Sequence, residues 1–179
     1  VTMPGNRVFG AGWFGVAARH GDVVGEYPLL MPMTTEQATV GGRETFGEPK
    51  KIAEITATRD GKRLHSVIRR MGFMVAEIRG EVIGEREPSS AERIDFYFKL
   101  LPSPEGPGLL DGDPFLVHSH KSSRERRAEI VEGEVLLGDS PLDPVADLPV
   151  RELKSITLAQ RATIVDARTV GTVPADDLI

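Results

Sequence analysis

From residue 51 onward apolar and polar residues alternate. In KIAEITATRDGKRLHSVIRRMGFMVAEIRGEVIGE (51–85) the period is close to two, which marks half-buried strands, and Asp60-Gly61 is a hairpin signal. ERIDFYFKLLP (92–102) reads as a further strand closed by Pro102, and SPEGPGLLDGDP (103–114) as a loop. FLVHSHKSSRERRAEIVEGEVLLG (115–138) predicts two strands around a charged turn. After the loop DSPLDPVADLP come a short helix or strand, VRELKSIT (150–157), and a last strand within AQRATIVDARTVG (159–171). Upstream, FGAGWFGVAARHGDVVGEYP (9–28) predicts two short strands about Gly21-Asp22. A helix is expected from Thr35 to Glu44, opened by the capping-box spacing of Thr34 and Gln37. Gly41-Gly42 weakens it by about 1 kcal/mol per glycine relative to Ala. The expected fold is mainly β (α+β): a closed or nearly closed antiparallel β-barrel with one or two short helices, in a single domain over 1–179.

Composition narrows the function classes. The 179 residues are 40% hydrophobic and 27% charged, as in a globular domain with a real core. A net charge of −5 argues against a nucleic-acid partner. There is no cysteine, so disulfides, thiolate metal sites and cysteine nucleophiles are excluded. No apolar run reaches the roughly 18 residues of a membrane span and no signal-peptide pattern opens the chain, so a cytoplasmic protein without a membrane partner is expected.

The chemistry is concentrated in GGRETFGEPKKIAEI (41–55), where Lys50 and Lys51 follow a proline and precede apolar residues. In an extended segment the two side chains point to opposite faces, so only one lysine can enter an interior. A lysine in apolar surroundings gives up its proton readily and, as a neutral amine, attacks carbonyls to form a Schiff base. The alternative is a solvated pair. Glu48, two residues before Lys50, is placed to share its face, or else to pair with Lys51 or Arg43. A tight Glu48–Lys50 pair favours the ammonium and opposes nucleophilicity.

The stretch GEYPLLMPMTTEQATVGGRETFGEPKKIAEI (25–55) resembles the signature region of the acetoacetate decarboxylase family. The match is carried by Glu26-Tyr27, Met31, Met33, Glu36, Gly42-Arg43-Glu44 and Pro49-Lys50-Lys51, with similar segments following in order to about Gly171. The resemblance implies that Lys50 is the Schiff-base nucleophile, that Lys51 depresses its pKa, and that the iminium serves as electron sink for loss of CO2. This family is a familiar example of a lysine activated by desolvation or by a second cation. The resemblance also implies a small keto acid or related carbonyl substrate, no cofactor, and a lyase. It further implies a missing N-terminal part of the domain, which in the family supplies an arginine and a glutamate to the pocket. A barrel lacking first strands exposes edges, so a homo-oligomer is expected. The sequence departs from the pattern at two further positions. Val16 stands where a catalytic glutamate is expected, and Glu48 replaces an aromatic residue. A carboxylate at Glu48 repels a substrate carboxylate by about 4 kcal/mol at 4 Å in an effective dielectric near 20. Unless Glu48 is protonated or neutralised by a cation such as Arg43, decarboxylation is disfavoured and aldol or dehydration chemistry on a neutral carbonyl substrate is expected. Glu48 then shuttles protons. The rival reading is a catalytically silent binding protein or subunit that keeps the barrel.

Other motifs are weaker. His118 and His120 have strand-face ligand spacing without a third ligand, and read as histidines near a surface turn. KSSRERR (121–127) reads as a charged hairpin tip rather than a phosphate site. Gly10, Gly12 and Gly15 lack the context of a dinucleotide loop. Met31, Met33, Met71, Phe73 and Met74 are expected to line core or pocket.

Overall fold

The computed structural model describes residues 1–3 and 7–177. Strands β1 (Phe14–His20) and β2 (Val23–Met33) form a hairpin about Gly21, whose φ of 58° suits a residue without Cβ. Helix α1 (Glu36–Phe46) follows, then a short β3 (Lys50–Ile52), β4 (Glu54–Asp60), β5 (Arg63–Arg70), β6 (Phe73–Arg86), β7 (Ser90–Lys99), β8 (Phe115–Leu137) and β9 (Ile156–Thr172). Two 3₁₀ turns, Val145–Asp147 and Ala175–Asp177, complete the described elements. Helix α1 is capped by Thr35, whose side chain accepts from the Ala38 N–H. Thr34, the expected cap, instead accepts from the Gly10 N–H at 2.8 Å.

The strands form one large mixed sheet in the order β1-β2-β7-β8-β6-β5-β4, with β3 added to β2 and β9 to β8. This corrects the expected antiparallel barrel in two respects. The β2–β3 and β2–β7 pairings are parallel; α1 is the crossover that a parallel β2–β3 pair requires. The sheet also does not close. β3 ends after three residues, β4 pairs with β5, and the Ala53 N–H to Met33 carbonyl bond at 2.8 Å is what remains between β2 and the far edge.

A second correction concerns the segment from residue 115, where Phe115–Leu137 form one 23-residue strand rather than a hairpin. β8 pairs with β7 through its first half, with β6 through its second, and with β9 along most of its length. Its central charges find cross-strand partners instead of making a turn. Arg86 grips Glu125 at 2.8 Å, Arg127 meets Glu85 at 2.5 Å, and Arg59 meets Glu129 at 2.8 Å. No regular element covers 150–155, so VRELKSIT contributes only the start of β9.

The end of β2, from Leu30 to Met33, is buried on both faces, which explains its apolar run. Met31 and Met33 join Phe9, Ala38, Tyr97 and Val117 in one core, whereas Leu30 packs with Val75 and Val145 in another. Of the other expected core residues, Met71 is 70% exposed at the β5–β6 turn and Phe73 is 40% exposed beside it.

Candidate functional site

The helix terminus places the chemistry. Gly47 adopts a left-handed φ of 78° and its N–H donates to the Arg43 carbonyl, while the Glu48 N–H returns to the Gly42 carbonyl at 3.3 Å. This 6→1 closure folds the chain back against the helix. A three-residue turn about Pro49 follows, closed by the Lys50 N–H donating to the Glu48 carbonyl at 2.7 Å. Lys50 then pairs with Met31 at the start of β3. The turn sets the two side chains on one side, with Lys50 Nζ 2.5 Å from Glu48 Oε2 and only 13% and 11% of the side chains exposed. Gly42 makes this possible: a Cβ there would stand 2.5 Å from Lys50 Nζ and closer still to Glu48 Oε2.

Lys50 and Glu48 look into a cavity of about 550 Å³ whose apolar wall includes Met31, Met33 and Phe46. Behind the pair lies a buried polar cluster from β7 and β8. Tyr97 donates to Asp95 Oδ2 at 3.0 Å, and Lys121 Nζ donates to the Tyr97 hydroxyl at 3.1 Å while also pairing with Asp95. Arg93 Nε lies 2.7 Å from the other Asp95 oxygen, reaches Glu26 at 3.2 Å, and stacks on Trp13 at 4.4 Å. Burial, and then the charges of Glu48 and Asp95, push the Tyr97 phenol far above its ordinary pKa. Tyr97 therefore stays a hydrogen-bond donor throughout the physiological range.

Lys51 points the other way. Its Nζ lies 2.7 Å from Asp143 Oδ1, and Arg70 binds the second oxygen at 2.7 Å. Lys51 is 37% exposed and Asp143 is fully buried. Burial alone would raise the Asp143 pKa, but Lys51 and Arg70 overcome it and hold the carboxyl below its usual range. Lys50 and Glu48 are thus brought together, and Lys51 is not beside them. Neither Lys51 nor Arg43 is the ion-pair partner of Glu48; Arg43 donates to the Lys50 carbonyl at 3.3 Å.

Val16 lies in β1 opposite Tyr27 and brings no carboxylate. His118 is buried within β8, not at a surface turn, with Nε2 3.1 Å from His20 Nδ1. No group of three or more metal-ligating side chains occurs among the described residues. No helix among them is long and apolar enough to cross a membrane. Sequence reasoning missed Asp95, Tyr97, Lys121 and Arg93. The signal was available in part: Arg93, Asp95 and Tyr97 alternate on one strand face, and that face carries Tyr97 into the core.

The sequence profile of the family described as Acetoacetate decarboxylase (ADC) matches residues 3–172. No curated protein matches significantly. Among solved structures, an acetoacetate decarboxylase superposes with a TM-score of 0.75 at 20% identity, covering 88% of this chain and 66% of that one. The acetoacetate decarboxylase of Legionella pneumophila subsp. pneumophila str. Philadelphia 1 gives 0.78 at 17%, over 92% and 67%. The enduracididine biosynthesis enzyme MppR complexed with pyruvate gives 0.65 at 15%, over 96% and 68%. The chain therefore spans about two thirds of the length of these relatives.

Proposed function

The chain belongs to the acetoacetate decarboxylase family, and from that premise we propose that it forms a Schiff base through Lys50 with a small keto acid or related carbonyl compound. The observation that carries this reading is the Lys50–Glu48 pair, 2.5 Å apart and nearly buried on the cavity wall. An ammonium cannot attack a carbonyl, and Glu48 is the carboxylate in place to take its proton. The free amine adds to the carbonyl carbon. Glu48 then returns the proton to the departing hydroxyl, and water leaves an iminium on Lys50. The iminium keeps the positive charge beside Glu48, so the pair's electrostatics survive the covalent step. It draws electrons from the neighbouring bond, which breaks with loss of CO2 from a β-keto acid, or by retro-aldol cleavage or dehydration of a hydroxyl-bearing substrate. Glu48 is neutralised by Lys50, with Arg93 and Lys121 on the same cavity. Its repulsion of a substrate carboxylate is thereby offset, which keeps decarboxylation among the reactions the site supports. The pyruvate carried by one relative supports a keto-acid ligand. Lys51, tied to Asp143, anchors β3 rather than tuning Lys50.

A binding protein without turnover is the second reading, favoured by Val16 where the family places a glutamate. Borohydride reduction in the presence of acetoacetate or pyruvate, followed by peptide mapping, separates the two. The expected product is a reduced adduct on Lys50 that is absent from Lys50→Ala. Absence of any adduct in the unmodified protein would leave the binding reading alone.

A further inference from the structure

We propose that the same cavity contains a second carboxylate subsite, formed by Arg161, Thr163, Ser123 and Lys121, and that the substrate is a keto acid bearing a distal carboxylate. The subsite rests on the reading of Lys50 as the group that holds the keto end. On β8 and β9, Lys121 stands opposite Val165, Ser123 opposite Thr163, and Glu125 opposite Arg161. Alternate residues share a face, so Arg161, Thr163 and Val165 continue the wall that Lys121 and Ser123 begin, and all five line the cavity.

The donors on this wall are uncommitted to different degrees. Ser123 Oγ and Thr163 Oγ1 lie 3.0 Å apart, and the hydroxyl that accepts in that contact has its own proton to offer. Lys121 spends two of its three N–H groups on Asp95 and Tyr97, leaving one. Arg161 makes no ion pair among the described residues. The carboxylate opposite it, Glu125, is already gripped by both Arg86 Nη atoms and by the Ser89 N–H and hydroxyl. Arg161 is exposed at the rim of the cavity, and a guanidinium without a counter-ion there is a fork open to a carboxylate.

Charge agrees with this. The wall carries four cations (Lys50, Arg93, Lys121 and Arg161) against the single carboxylate of Glu48. Asp95 and Glu26, paired with Arg93 and Lys121, still leave one positive charge in excess. Lys121 and Arg161 flank the Ser123–Thr163 level from either side, each two strand positions away, about 7 Å along the sheet. Both side chains are long enough to converge there, so a carboxylate at that level is the second anchor for an acid whose keto end is held at Lys50.

Calorimetric binding of glutarate and adipate against butyrate tests this without any imine chemistry. The unmodified protein should bind the better dicarboxylate about tenfold more tightly than the monocarboxylate, the worth of one charge-assisted pair. Arg161→Gln should reduce that preference to within about twofold, and the double variant Ser123→Ala/Thr163→Val should reduce it in part. Equal affinities for both acids in the unmodified protein would overturn the subsite, as would a preference that survives all these substitutions. A dicarboxylate preference without borohydride trapping would keep the subsite and refute the imine reading, so the two failures are distinguishable.

Discussion

Lys50 and Lys51 each face a poorly exposed carboxylate, but the carboxylates come from different distances along the chain. Glu48 is two residues from Lys50 and is delivered by a turn belonging to the same segment. Asp143 is 92 residues from Lys51, and Arg70 from a third element shares it. The first pair is local: it belongs to one turn at a cavity edge, and both of its side chains are poorly exposed. The second pair ties the 138–148 loop to β3 and β5, and separating it strands a buried charge. Neighbouring residues of one type are thus turned by the strand's alternation to opposite sides, Lys50 to the cavity wall and Lys51 to a buried carboxylate from a distant loop.

The largest effect is expected at Glu48, because the two accounts of its pair with Lys50 differ in sign. If Glu48 is the proton carrier, Glu48→Gln should lower the rate of imine formation and turnover by a factor of about 10²–10⁴. If it merely holds Lys50 as the ammonium, removing its charge frees the amine and trapping becomes faster. Stopped-flow or timed borohydride quenching with pyruvate reads the sign directly.

On the Lys51 side, the expected result is loss of stability without loss of chemistry. Asp143→Ala leaves Lys51 and the poorly exposed Arg70 without their counter-ion. Disrupting a buried pair costs about 3–5 kcal/mol, and the partial exposure of Lys51 places the expected loss near the bottom of that range, at about 3 kcal/mol. Chemical denaturation measures it. Lys51→Ala should lower stability as well while leaving an adduct on Lys50, whereas Lys50→Ala should abolish the adduct. The acid dependence follows from the depressed Asp143 pKa. A carboxyl lowered on folding adds stability in full above its unfolded value, about 3.9, and that stability is lost as pH falls through the folded value. The gap between the native protein and Asp143→Asn should therefore be constant from neutral pH to about 5 and close below it. Glu125, held down to about 2 by Arg86 and the Ser89 N–H, adds an acid loss common to both proteins, which lowers each stability and leaves the gap unchanged. A gap that widened in acid would contradict the assignment.

Which parts of this were legible beforehand depends on how local their causes are. The hairpins about Gly21 and Gly61 and the strand alternation after residue 51 follow from neighbouring residues, and the sequence shows them. The inward Lys50 and outward Lys51 follow from the same alternation. The helix was legible to within two residues at its C-terminus, but its cap was displaced by one because Thr34 is claimed by Gly10, 24 residues away. KSSRERR looked like a turn because its partners Arg86, Glu85 and Asp95 lie on two other strands. The missed cluster of Asp95, Tyr97 and Lys121 has the same origin, since no local pattern reveals which strand β8 will meet. The open sheet was invisible for a related reason. Closure depended on whether β3 and β4 stayed one strand, and Ala53 divides them.

The smallest effect tests the fit between helix and site, using two adjacent glycines as each other's control. Both Gly41 and Gly42 lie in α1, and an alanine in a helix interior is favoured over glycine by about 1 kcal/mol. A Cβ on Gly41 meets nothing within 4 Å, so Gly41→Ala should gain most of that energy and leave trapping unchanged. A Cβ on Gly42 falls on Glu48 Oε2 and on the Lys50 Cδ and Nζ atoms. Lys50 and Glu48 must then move apart or swing into the cavity, and two poorly exposed charges lose their close pairing. Gly42→Ala should consequently gain nothing or lose stability relative to Gly41→Ala, and its adduct should form about tenfold more slowly, the rate equivalent of about 1.4 kcal/mol. Thermal melts and timed reduction of both variants give the two readouts side by side. If Gly42→Ala matched Gly41→Ala in both, the close approach of helix and ion pair would have no role in positioning Lys50, and Gly42 would be an ordinary helix glycine.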